Sequence, residues 1–308
     1  MENSRIAFLF PAFINEYSND EKQQLSEYSN NLQSHLDEAS KITGSDLSLV
    51  EIHGCQITNE LLSQYIAYCY SCTLSDILKQ YSVVPNFLSG YSMGIYAALY
   101  HGNAISFAQG IKLIRQAYEE IKKCCNGTPF GMATIVGLNN IDLQQIITQN
   151  ADNVEIINKN GEYSFVISGI YAEINRIANI CHQEGALHIR LLPVGSPYHS
   201  HFMNQAAQEF GKFVNQSVIN DSEVEIVSII NQGIIKNAPE LRKELVMNIC
   251  SGINWFLTME FMIKQGINTF IECGAGDSLT KIARFIDGDF KMYPMNKLNH
   301  LLINTKNI

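Results

Sequence analysis

Residues 90–94 read Gly-Tyr-Ser-Met-Gly, directly after a short apolar run and directly before a helical run of small and apolar residues. No other stretch constrains the fold as tightly, because Gly-x-Ser-x-Gly between a strand and a helix describes one sharp turn with a serine at its apex. Gly90 and Gly94 remove the side chains that would collide where strand and helix nearly touch. The turn lifts Ser92 Oγ clear of the backbone with a helix N-terminus beneath it. An anion forming beside Ser92 then meets free N–H groups, that of Met93 first. The flanking strand and helix signals separate this from a chance five-residue match, and they make Ser92 a candidate nucleophile in an α/β fold.

The rest of the chain narrows the class. Its 308 residues suffice for one large domain with a smaller one inserted. A formal net charge of −9, with no Lys/Arg run longer than a dipeptide, argues against nucleic acid as a partner. The N-terminus lacks a basic segment leading into an apolar run, and no stretch approaches the roughly 18 apolar residues of a membrane span. The expectation is a cytoplasmic protein without membrane contact. Eight cysteines without regular spacing read as reduced, mostly buried thiols. Cys69 and Cys72 form a C-x-x-C inside a helical-looking run with no second pair at metal-site spacing, so packing is expected of them, not zinc or redox chemistry.

Taken in order, residues 5–10 are a buried strand ended by Pro11, 21–43 a surface helix, and 57–81 a helical repeat leading to the strand before Ser92. Residues 106–124 form another helix. Between 129 and 193 the pattern changes to strand 132–136, helix 141–149, strands 154–158 and 164–168 around a turn at 159–161, helix 171–184 and strand 186–192. That β-α-β-β-α-β order is a ferredoxin-like unit, which places a small domain at 129–193 within a large one formed by 1–128 and 194–308. Further on come helices at 204–214 and 239–249, a strand at 224–231, and a strand at 269–272 followed by Gly274-Ala275-Gly276 and a helix at 278–285.

A serine hydroxyl needs a base, normally a histidine held in one tautomer by a third group. His199 and His201 lie in a Gly/Pro-framed turn after a strand, where a side chain is presented rather than packed. Spacing does not choose between them.

Six separated features stand in one order: Phe10-Pro11, the Gly90–Gly94 turn, the ferredoxin-like insertion, the stretch Ser196-Pro197-Tyr198-His199-Ser200-His201-Phe202-Met203, Asn254-Trp255, and Glu272-Cys273-Gly274-Ala275-Gly276. In this order and at these distances the chain, over residues 5–286, resembles malonyl-CoA:acyl carrier protein transacylases and the acyltransferase domains of polyketide synthases. The resemblance implies an α/β-hydrolase-like large domain and a Ser/His dyad working by a ping-pong mechanism. It makes Ser92 the nucleophile and His199, not His201, its base, with His199 oriented by the backbone carbonyl of Asn248. The implied oxyanion hole is the backbone N–H of Met93 and of Phe13. It further implies an acyl carrier protein partner, acyl-CoA substrates with CoA and phosphopantetheine as carriers, no metal or permanently bound cofactor, and a monomer.

The chain departs from the pattern at telling places. Malonyl-specific members carry an arginine in the helix after the turn, whose fork holds the malonyl carboxylate; by ungapped count that position is Ala117. Arg115 is about 200° away around the helix. The loop after Pro11 reads Ala12-Phe13-Ile14-Asn15-Glu16, the residue before the serine is Tyr91, and Ile95 follows Gly94. Phe13, Ile95 and Ala117 together predict an apolar acyl pocket that prefers an uncharged group to malonyl. Two alternatives stay open: an acyl-carrier-protein hydrolase of polyketide biosynthesis, and a non-catalytic docking subunit for a carrier protein. A general esterase is a more distant reading.

Overall fold

The computed structural model describes residues 5–13, 31–47, 57 and 59–297. Two sheets organise it. Strands β1 (Ile6–Phe10), β2 (Phe87–Gly90), β7 (Glu225–Val227), β8 (Ile234–Ile235), β9 (Thr269–Glu272) and β10 (Lys291–Tyr293) form a six-stranded sheet in the order β10-β9-β1-β2-β7-β8, parallel except for β8. Strand β1 is apolar throughout because both of its faces are covered. Phe8 and Phe10 pack with helices α2 (Glu60–Gln80), α3 (Gly94–His101) and α4 (Phe107–Cys125), while Ala7 and Leu9 pack with Trp255 and Met259 of α9 (Trp255–Lys264). The chain leaves β1 for β2 on one side and later returns to β9 on the other. The carboxyl ends of β1 and β2 therefore border the crevice where open α/β sheets bind ligands.

The second sheet is antiparallel, with order β4-β5-β3-β6, built from β3 (Phe130–Val136), β4 (Val154–Gly161), β5 (Ser164–Ile170) and β6 (His188–Leu191) and covered by α5 (Asn140–Asn150) and α6 (Tyr171–Gln183). Numbered within the unit, its strands stand 2-3-1-4, the ferredoxin-like arrangement expected of its element order. One boundary differs from expectation. The turn is not at 159–161, since β4 runs through to Gly161 and pairs with β5 across two register shifts. Asn158 and Asn160 are thereby held in a strand, and Asn158 bridges in parallel to Ile253 beside the large sheet.

The expected surface helix also differs. Its described part, α1 (Asn31–Thr43), buries Leu32, His35, Leu36 and Ala39, so it is an amphipathic layer of the core; residues 21–30 lie outside the described ones. The remaining helices, α7 (Asn204–Gln216), α8 (Ala238–Cys250) and α10 (Ser278–Ala283), follow the sequence reading within a few residues. Cys69 and Cys72 are buried, and burial pushes both thiols' pKa up, which keeps them inert packing groups. Among the described residues no helix is long and apolar enough to cross a membrane.

Candidate active site

The turn after β2 is sterically determined. A Cβ on Gly90 would stand 2.2 Å from Ile95 N, and one on Gly94 2.0 Å from the Phe10 carbonyl oxygen. Only glycine lets α3 start this close to β1 and β2. The squeeze puts Ser92 at φ 56°, in the left-handed region that non-glycine residues rarely enter. Tyr91 N–H donates to Phe10 O at 2.8 Å and Gly94 N–H to Tyr91 O at 3.0 Å, pinning the turn to β1. Met93 N–H, at the start of α3, has no backbone partner among the described residues.

His199 comes from a distant loop, yet its Nε2 lies 2.7 Å from Ser92 Oγ. It too has positive φ, 61°, and its N–H donates to Ile249 O of α8 at 2.9 Å. Burial lowers the imidazole pKa to about 4, an effect the Asn248 backbone carbonyl opposes. His199 Nδ1, itself buried, closes no hydrogen bond of standard geometry. The Asn248 side chain has a contact that sequence did not suggest: its amide Nδ2 donates to Ser92 O at 3.0 Å. His201 is elsewhere, its exposed ring 2.5 Å from Glu155.

Tyr91 joins the turn to the small sheet. Asn158 Nδ2 donates to the Tyr91 hydroxyl at 2.6 Å, that hydroxyl donates to Asn160 Oδ1 at 3.2 Å, and the ring meets Trp255 edge-on at 5.2 Å. Ile253 N–H donates to Ile157 O at 2.8 Å. These bonds hold the small sheet over the turn and enclose a cavity of about 640 Å³ with Ser92 and His199 in its wall.

Phe13, Met93 and Ala117 line the cavity with Ile121, Met132, Ile157 and Val166. Ile95 does not: it is buried in the core between α3 and its neighbours, because the residue after Gly94 points into the helix layer. Arg115 is turned away, with Nη2 donating to Thr43 O at 2.6 Å. Two cations that sequence reasoning missed, Arg190 of β6 and Lys281 of α10, border the cavity at exposed positions, Lys281 paired with Asp277 at 2.8 Å. Neither carries a local sequence signal; both reach the site through the packing of separate elements.

The malonyl CoA-acyl carrier protein transacylase of Bacillus subtilis strain 168 is 25% identical over 293 residues, covering 94% of this chain and 92% of that protein. The fold matches that of FabD from Acinetobacter baumannii with a TM-score of 0.89 at 24% identity, covering 99% of each chain. It matches equally a malonyl-transacylase solved in complex with a type II polyketide synthase acyl-carrier protein, with a TM-score of 0.91 at 22% identity, covering 99% of this chain and all of that one. Residues 68–273, spanning both Ser92 and His199, match the acyl transferase domain family, and the chain belongs to that family, with the malonyl-CoA:acyl carrier protein transacylases and their polyketide relatives.

Proposed function

We propose that this acyltransferase moves an uncharged acyl group from a CoA or carrier-protein thioester to the pantetheine thiol of an acyl carrier protein, through an acyl-Ser92 intermediate. The observation that carries the reading is the 2.7 Å Ser92 Oγ to His199 Nε2 contact in the wall of a largely apolar cavity. With its pKa lowered, His199 is neutral at physiological pH and its Nε2 can accept the hydroxyl proton. Ser92 Oγ attacks the thioester carbonyl as His199 takes that proton, and the oxyanion meets the N–H groups of Met93 and Phe13. The C–S bond then breaks, and His199 returns the proton to the leaving thiolate. In the second half the pantetheine thiol gives its proton to His199 and attacks the acyl carbonyl, the ester bond to Ser92 breaks, and the serine recovers its proton.

The preference for an uncharged group rests on α4. Ala117 faces the cavity without a charge, Arg115 points to Thr43, and Lys122 is bound to Glu60 at 3.1 Å. A malonate carboxylate beside Ala117 would lack a counter-ion, at a cost on the order of several kcal/mol. Arg190 and Lys281 sit at exposed positions that suit phosphates of the carrier arm rather than the acyl end. Two supports for an acyl carrier protein as acceptor are membership of the family and the fold shared with a transacylase solved on its carrier.

The test is intact mass after incubation with acetyl-, malonyl- and medium-chain acyl-CoA, beside Ser92→Ala. A Ser92-dependent uncharged adduct, discharged when carrier protein is added, is the expected result. Malonyl loading far above acetyl loading would overturn the preference, and an adduct that discharges in water with free acid accumulating would make the protein a hydrolase.

A further inference from the structure

We propose that Glu60, acting through Tyr198 and with Lys122 as its counter-ion, is a positioning residue for His199; this rests on the reading of His199 as the base. The Tyr198 hydroxyl donates to Glu60 Oε1 and accepts from Gln64 Nε2 at 3.1 Å. Glu60 Oε2 accepts from Lys122 Nζ at 3.1 Å, and the same ammonium donates to Ser196 Oγ at 3.1 Å. One ion pair, between the first turn of α2 and the last turn of α4, thus holds two alternate residues of the loop that presents His199.

The backbone explains why such a clamp is needed. A non-glycine residue at φ 61° persists only where its surroundings over-determine it. After His199, the 3₁₀ turn of residues 201–203 carries the chain into α7, and His199 N–H itself is bound to α8. Before His199, the tethers are Ser196 and Tyr198, with Ser200 Oγ closing back on Pro197 O at 2.5 Å. The Glu60 side chain is 11% exposed, and a carboxylate so placed is costly unless its oxygens are satisfied, as they are here by a hydroxyl and an ammonium. Burial and the Glu60 charge both push the Tyr198 pKa up, so the phenol stays protonated and remains the donor.

A fluorophosphonate that labels Ser92 needs only the Ser92–His199 pair and no acyl thioester, so its rate tests the clamp separately from the proposed function. Tyr198→Phe and Glu60→Ala should each slow labelling about ten-fold, the scale of a small misplacement of a catalytic group. The double variant should lose about the same ten-fold and not about a hundred-fold, since both changes cut one connection. Glu60→Gln keeps an oxygen that can accept from Tyr198 and should label within about two-fold of the native protein, a rescue that a purely stabilising ion pair would not give. With acyl-CoA the losses should fall on kcat and leave KM within about two-fold. Native-rate labelling by Tyr198→Phe, multiplying losses in the double variant, no rescue by Gln, or an effect confined to KM would each overturn the clamp. A native protein that labels with the probe but is acylated by neither CoA nor carrier-protein thioesters would sink the acyltransferase reading alone, leaving the clamp to be judged on labelling rates.

Discussion

The large sheet and the small sheet line one cavity and contribute to it in different ways. From the large-sheet side come Ser92 at φ 56° and His199 at φ 61°, two glycines that tolerate no Cβ, and the Asn248 amide on the Ser92 carbonyl. From the small-sheet side come Met132 and Val166 on regularly paired strands, Ile157 at a register shift of β4, and the exposed Arg190 on an edge strand. Among the residues that line the cavity, a positive φ outside glycine is found at Ser92 and His199, on the large-sheet side. The other side supplies burial and charge, and it touches the turn through Asn158 and Asn160 at the Tyr91 hydroxyl.

The comparison is sharpest in the rate of acylation. Ser92→Ala should reduce acyl-enzyme formation by at least about 10⁴-fold, whereas Val166→Ala should stay within about ten-fold of the native rate, read by rapid-quench mass spectrometry. Comparable losses in both would erase the distinction. Stability offers the next largest contrast. Gly94→Ala drives a Cβ to 2.0 Å from the Phe10 carbonyl oxygen, while at Gly161 of β4 the nearest atom would be 3.7 Å away. Urea unfolding should show a loss of more than about 3 kcal/mol for the first and less than about 1 kcal/mol for the second.

Ala117→Arg tests whether selectivity can change without touching the dyad. A guanidinium on the cavity face of α4 should raise malonyl loading relative to acetyl by about ten-fold or more, the worth of one charge-assisted pair. An unchanged ratio would show that α4 does not read the acyl group. The acid side of the pH profile tests the dyad itself. Burial takes His199 from 6.5 to about 4, and catalysis needs the neutral ring, so acylation should hold level through pH 6.5 and fall as pH drops through about 4. A midpoint near 6.5 would mean that water reaches His199. The same depression gives stability that is present above pH 6.5 and is lost as pH falls toward 4, because the unfolded chain takes up that proton first.

Much of this was legible in the sequence, and the remainder was not for identifiable reasons. The turn at 90–94 and the β-α-β-β-α-β order are local patterns, and local patterns survive in sequence. Two histidines two residues apart could not be ranked by spacing; three-dimensional placement separates them, with His199 at Ser92 and His201 at Glu155. The family resemblance places Ile95 in the pocket by its motif position after Gly94, but the rotation of α3 sends it into the core. Arg190 and Lys281 reach the cavity, and Tyr198 reaches Glu60 138 positions away, only through folding, and no periodicity announces them.

Arg190→Ala should have the smallest effect, and it bears most directly on what the small sheet is for. Among the described residues Arg190 enters no ion pair, and an exposed cation pays little desolvation when it meets a phosphate. Its contribution to holding a carrier arm should therefore be modest and screened by salt: KM for an acyl-CoA rising about two- to five-fold at low ionic strength, with kcat unchanged. The increase should shrink toward unity at about 0.5 M salt, where the Debye length falls to about 4 Å. If kcat falls instead, the edge strand does more than steer the carrier, and the small sheet belongs with the large one in setting the geometry at Ser92.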